Sequence, residues 1–175
     1  MLRVLGIDPG LDAFAAIYQP GASLASGLRW QFLDIPTRGE DSARRIDAAA
    51  LRDWVRRFAP EVGYVENVGP MKGQGLGHTS RFLRACGSIE ATVQCCDVDL
   101  RLVAPQTWKR YYEIPSYQAE GRSSSKAKAF AKAHSRTLAL QLFPELASIL
   151  TRVSDHGRAE AALLAFYGAK RMEPI

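Results

Sequence analysis

The run Leu2-Arg3-Val4-Leu5-Gly6-Ile7 reads as a buried strand, yet it ends on an acid, Asp8, followed at once by Pro9-Gly10. Burying a carboxylate is costly unless something pairs with it. Pro-Gly is turn chemistry, and Asp12 to Tyr18 reads as a returning strand, so the chain opens with a hairpin carrying an acid at its corner. A bound cation is the natural partner for such an acid; a side chain that merely caps the turn is the bland alternative.

A second acid stands in a similar place. Val62-Gly63-Tyr64-Val65-Glu66 is apolar and β-forming up to its acid, which fits a central strand buried on both faces. The following nine residues, Gly69 to Gly77, hold four glycines and read as a loop. Two strands thus deliver one carboxylate each toward loop ends, where open sheets keep their sites.

The third cluster is Ser154-Asp155-His156-Gly157-Arg158-Ala159-Glu160, leading into an Ala/Leu-rich stretch that reads as a helix. Ser154 or Asp155 suits its N-cap. Glu160 lies one turn on from His156 and on its face. Carboxylates drawn from separate segments suit a hard cation such as Mg2+ or Mn2+.

Together, Gly6-Ile7-Asp8-Pro9-Gly10, Val65-Glu66-Asn67 and Asp155-His156-Gly157-Arg158-Ala159-Glu160-Ala161 resemble the three acidic motifs of RuvC-type Holliday junction resolvases, in the form found in phage-like and related bacterial members. The resemblance spans nearly the whole chain. It implies an α/β, ribonuclease H-like fold and a homodimer that cuts four-way DNA junctions with two Mg2+ per active site, Mn2+ substituting. It also implies Asp8, Glu66, Asp155 and Glu160 as catalytic, metal-binding acids, with Asp8 bridging the two ions. The last motif departs from the familiar pattern, in which two acids sit three residues apart: three before Glu160 stands Gly157. Asp155 is the expected second helix-borne ligand because Mg2+ prefers carboxylate oxygen, with His156 as the alternate on helix geometry.

Charge agrees with a polyanionic partner. The chain has 175 residues, 23 Lys plus Arg against 18 Asp plus Glu, and a formal charge of +5, so a basic surface remains once the acids are placed under metal. From Lys109 to Arg136 there are seven Lys or Arg against two Glu. In this stretch Lys109, Arg122, Lys126 and Lys128 are expected to bind DNA; Lys109 and Lys126 resemble resolvase lysines that serve DNA binding and cleavage. On the glycine loop Met71 is a candidate apolar wedge at the crossover, with Lys72 beside it.

Length fits a single nuclease domain over residues 1–175. Cys86, Cys95 and Cys96 lack a CxxC spacing and read as reduced core thiols. With no apolar run of spanning length and no signal peptide, the expected setting is the cytoplasm of a bacterium or phage host, with no membrane. Strands are expected near 2–8, 12–18, 28–34, 62–68 and 98–103, with helices near 42–58 and 78–95. That order describes a five-stranded mixed β-sheet, an antiparallel meander followed by crossovers, flanked by helices. Gly87, in mid-helix, suggests close packing against the sheet or a twin subunit. An actin-like ATPase shares the opening hairpin but needs two such domains. A nuclease acting on flaps, other branched DNA or RNA-DNA hybrid would use the same acids, whereas a junction-binding protein without activity would keep the basic segment and lose an acid; all the acids are present, which favours catalysis.

Overall fold

The computed structural model describes residues 2–23, 29–70, 75–114 and 124–172, the side chains of 124–128 excepted. Five strands form the main sheet: β1 (Val4–Asp8), β2 (Phe14–Tyr18), β3 (Trp30–Asp34), β6 (Val62–Glu66) and β7 (Asp99–Val103). Their order is β3-β2-β1-β6-β7. β1 pairs antiparallel with β2 and parallel with β6, so the expected mixed sheet forms, with both acid-bearing strands at its centre. Gly10, at φ 153°, turns the chain where a side chain would strain it.

The pleat sorts each strand. Val4, Gly6 and Asp8 face one side together with Tyr64, Glu66 and Phe14, while Leu5, Ile7 and Val65 face the other. The second side is covered by α1 (Ala48–Phe58) and α2 (Leu76–Gln94), whose Leu51, Val55, Ile89 and Val93 are buried with Leu5 and Ile7. Helix α1 starts later than position 42: Asp47 accepts from the Ala50 amide at 3.1 Å and caps it. Residues upstream instead form a short ribbon of β4 (Thr37–Arg38) with β5 (Arg45–Ile46).

The first side is closed by α5 (His156–Met172), which is buried nearly all round, as a helix lying between a sheet and further helices must be. It rests on β1 and β2, and α4 (Ser124–Leu142) packs over it. Its alanines let it come close. A Cβ added to Gly6 of β1 would lie 2.2 Å from the Ala161 carbonyl oxygen and 2.4 Å from the Ala165 nitrogen, both backbone of α5. The short α3 (Pro105–Tyr111) follows β7 and brings Trp108 into the core beneath the sheet's end.

Two expectations change. Gly87 is exposed and a Cβ there would meet nothing within 4 Å, so its helix does not use it to pack on the sheet. Of the cysteines Cys86 is buried, whereas Cys95 is exposed and Cys96 half-buried.

Candidate metal centre

Asp8 at the end of β1, Glu66 at the end of β6 and Glu160 in the second turn of α5 offer oxygens that all lie within 4.8 Å of one another. Parallel pairing of β1 with β6 puts the first two side by side, and the seating of α5 on β1 brings the third over them. Glu66 and Glu160 are buried, each 6 % exposed. Desolvation, then the neighbouring Glu160 and Glu66 charges, pushes the Asp8 carboxyl well above its usual range, although Lys109 and Lys132 pull the other way. Burial likewise raises Glu66, partly offset by Lys109.

Two of the acids are held by second partners. The Trp108 indole donates to Glu66 Oε1 at 2.9 Å, and the buried Ser135 hydroxyl donates to Glu160 Oε1 at 3.0 Å. Asp8 receives no hydrogen bond from any described residue. Three converging carboxylates, Asp8 the most strongly desolvated among them, form an oxygen-donor set suited to Mg2+ or Mn2+.

Asp155 does not join this cluster. It ends a 3-10 turn just before α5, 2 % exposed, and its carboxylate accepts from the Arg152 amide at 2.7 Å and the Arg152 guanidinium at 2.9 Å, with Arg158 at 3.3 Å. Burial would raise its pKa, but these partners hold it below the usual value. The capping role is the one it fills here. His156 is half-buried, and burial with the nearby Lys132 charge lowers its pKa.

Lys109 differs from its expected place among surface phosphate contacts. Its ammonium sits 3.2 Å from Glu66 Oε1 and 3.4 Å from Glu160 Oε2, and the side chain is 14 % exposed. Helix α3 starts on Pro105 directly after β7, which carries Lys109 under the acids. Lys109→Ala is therefore expected to depress cleavage while leaving the slope of log K against log salt for DNA binding unchanged; a slope reduced by about one counterion would return Lys109 to the phosphate-binding surface. Lys126 and Lys128 fall within α4, but their side chains, like Arg122, Met71 and Lys72, lie outside the described residues. Trp108, Ser135 and Lys132 carried no signal of their own in the sequence.

No protein-family model matches the chain, and no curated protein matches it. Solved structures do. Thermus thermophilus RuvC in complex with a Holliday junction substrate aligns over 98 % of this chain and 96 % of its own, with a TM-score of 0.59 and 16 % identity. Another Thermus thermophilus RuvC structure covers the same shares at a TM-score of 0.48 and 15 % identity. At this identity the likeness speaks for architecture: the chain has the ribonuclease H-like fold of RuvC, with its five-stranded mixed sheet flanked by helices.

Proposed function

We propose that this protein is a divalent-metal-dependent endonuclease that resolves four-way DNA junctions by phosphodiester hydrolysis, leaving 5'-phosphate and 3'-hydroxyl ends. The observation that carries this reading is the meeting of Asp8, Glu66 and Glu160 at the end of the central strands, in a fold shared over nearly the whole chain with a RuvC structure solved on a Holliday junction. Metal ions bound there would activate water and stabilise the departing 3'-oxygen; the family resemblance carries two per site, Mg2+ with Mn2+ as substitute.

The chain's own groups prepare that site. Trp108 and Ser135 fix the carboxylates of Glu66 and Glu160 through one oxygen each, which limits the reorganisation an arriving ion must drive. Lys109 relieves repulsion between those two acids. Arg122, Lys126 and Lys128, in the cationic stretch that follows α3, are the proposed phosphate contacts, and Met71 and Lys72 the proposed contacts at the crossover.

Incubation of end-labelled four-way junction, flap, RNA-DNA hybrid and duplex in Mg2+, Mn2+ or EDTA tests the proposal. Paired, ligatable nicks in the junction with either metal and none in EDTA are expected. Preferential cutting of flap or hybrid would replace the substrate, and cleavage in EDTA would remove the metal.

The active unit is a homodimer, since two symmetric nicks in a near-two-fold junction are most simply placed by a two-fold protein. Helix α2 is the expected interface. It exposes Leu76 and Leu83 beside Gly87, although Cys86 is itself buried and Phe82 turns back toward Gly10. Because Gly87 opens onto free space, Gly87→Arg fits the folded protomer and is expected to sediment as a monomer where the wild type sediments as a dimer. A dimeric Gly87→Arg variant would move the interface elsewhere.

A further inference from the structure

We infer that, before DNA arrives, this centre holds one tightly bound divalent ion per chain, because Phe14 occupies the place from which a fourth carboxylate would reach the site. The inference rests on the metal-centre reading above.

The position three residues before Glu160 is Gly157, which faces the cluster: a Cβ built on it would lie 3.1 Å from Asp8 Oδ2. An acid there would be a ligand. The same Cβ would stand 2.3 and 2.5 Å from two ring carbons of Phe14, inside van der Waals contact. Phe14 is the residue paired with Asp8 across the β1–β2 ladder, so its ring necessarily projects on the Asp8 side of the sheet and lies against α5. Glycine on the helix and phenylalanine on the strand thus form a matched pair that fills with carbon the space a fourth ligand needs.

Neither neighbour in sequence replaces it. Asp155 would have to give up charge-assisted hydrogen bonds from Arg152 and Arg158, and Arg158 is itself anchored by an ion pair to Asp34 at the end of β3. Among the described residues the converging ligand atoms are those of Asp8, Glu66 and Glu160, and His156 is not one of them. Charge balance points the same way. Three carboxylates against the Lys109 and Lys132 ammoniums leave one net negative charge, which a single divalent ion more than neutralises; among the described residues a second ion would find no further anion until a phosphate enters.

Counting Mn2+ by electron paramagnetic resonance on the DNA-free protein tests this without reference to activity. One tight ion per chain is expected for the wild type, none for Asp8→Asn, still one for Asp155→Asn, and two for Phe14→Ala/Gly157→Asp. Two tight ions or none on the wild type would overturn the inference, as would loss of the ion in Asp155→Asn. If the double variant fails to fold by circular dichroism, the wild-type and Asp155→Asn counts decide. One ion with no cleavage of any branched DNA would leave the count standing and remove the nuclease; junction cleavage by a protein with two tight ions would do the reverse.

Discussion

Asp8→Asn is expected to abolish junction cleavage while leaving junction binding intact, and at the same time to raise the melting temperature of the metal-free protein at pH 7. The loss of cleavage should exceed the ~100-fold that outer-shell partners of a metal typically cost, because Asp8 is itself one of the three converging carboxylates. The gain in stability follows from the direction of its titration. Its folded pKa is raised by desolvation and by Glu160 and Glu66, so the folded protein holds this proton more tightly than the unfolded chain and ionised Asp8 costs stability. That cost is full above the raised folded pKa, shrinks as pH falls through it, and vanishes near the unfolded value of about 4. The Asn variant in EDTA should therefore melt higher than wild type at pH 7 and equally at pH 4. Adding Mn2+ should reverse the order, since binding stabilises only the protein that binds. Melting curves with and without metal, beside a junction cleavage assay, check all three parts. An Asn variant that cuts at the wild-type rate, or melts lower in EDTA, would break the assignment of Asp8 as the metal-ready acid.

Gly6→Ala is expected to destabilise the protein by about 3 kcal/mol or more, at the upper end of overpacking costs, because its Cβ would collide with backbone rather than with a movable side chain. The strand and α5 would have to separate. Glu160 rides on that helix, so residual folded protein should also bind metal more weakly. Gly87→Ala is the control. It sits in the exposed interior of α2 with nothing within 4 Å, where helix propensity favours alanine by about 1 kcal/mol. Urea unfolding of both variants measures the contrast; equal midpoints would mean that α5 does not rest on β1 as described.

Much of this arrangement was legible in the chain because it depends on local pattern. Short apolar runs ending on acids announced β1 and β6, and an Ala/Leu-rich segment bearing Glu160 announced a helix, whose burial nearly all round only the structure shows. Three acids on three such elements were enough to anticipate a metal centre, since ionised groups at the ends of buried elements need a counter-charge. Composition gave the chain's own cationic character, a formal charge of +5. Less was legible where a residue's role depends on what approaches it. Asp155 was the expected second ligand, yet Arg152 and Arg158 hold it as a cap, and their reach toward it depends on how the 3-10 turn enters α5. Lys109 stood in a cationic run that read as surface, yet α3 folds it beneath the acids.

The sequence by itself determined the strand order's ingredients, the three carboxylates and the cationic character, because hydrophobic period and residue charge are properties of the chain before it folds. Only the tertiary structure decided which groups share the site. Trp108 reaches Glu66 across 42 residues and Ser135 reaches Glu160 across 25. Phe14, an ordinary strand aromatic, becomes the residue that closes the fourth ligand position only when α5 lies on the hairpin. The physical reason is that a ligand set is fixed by distances of a few ångströms between separate elements, and those distances come from how closely helix and sheet can pack, here set by Gly6, Gly157 and the alanines of α5.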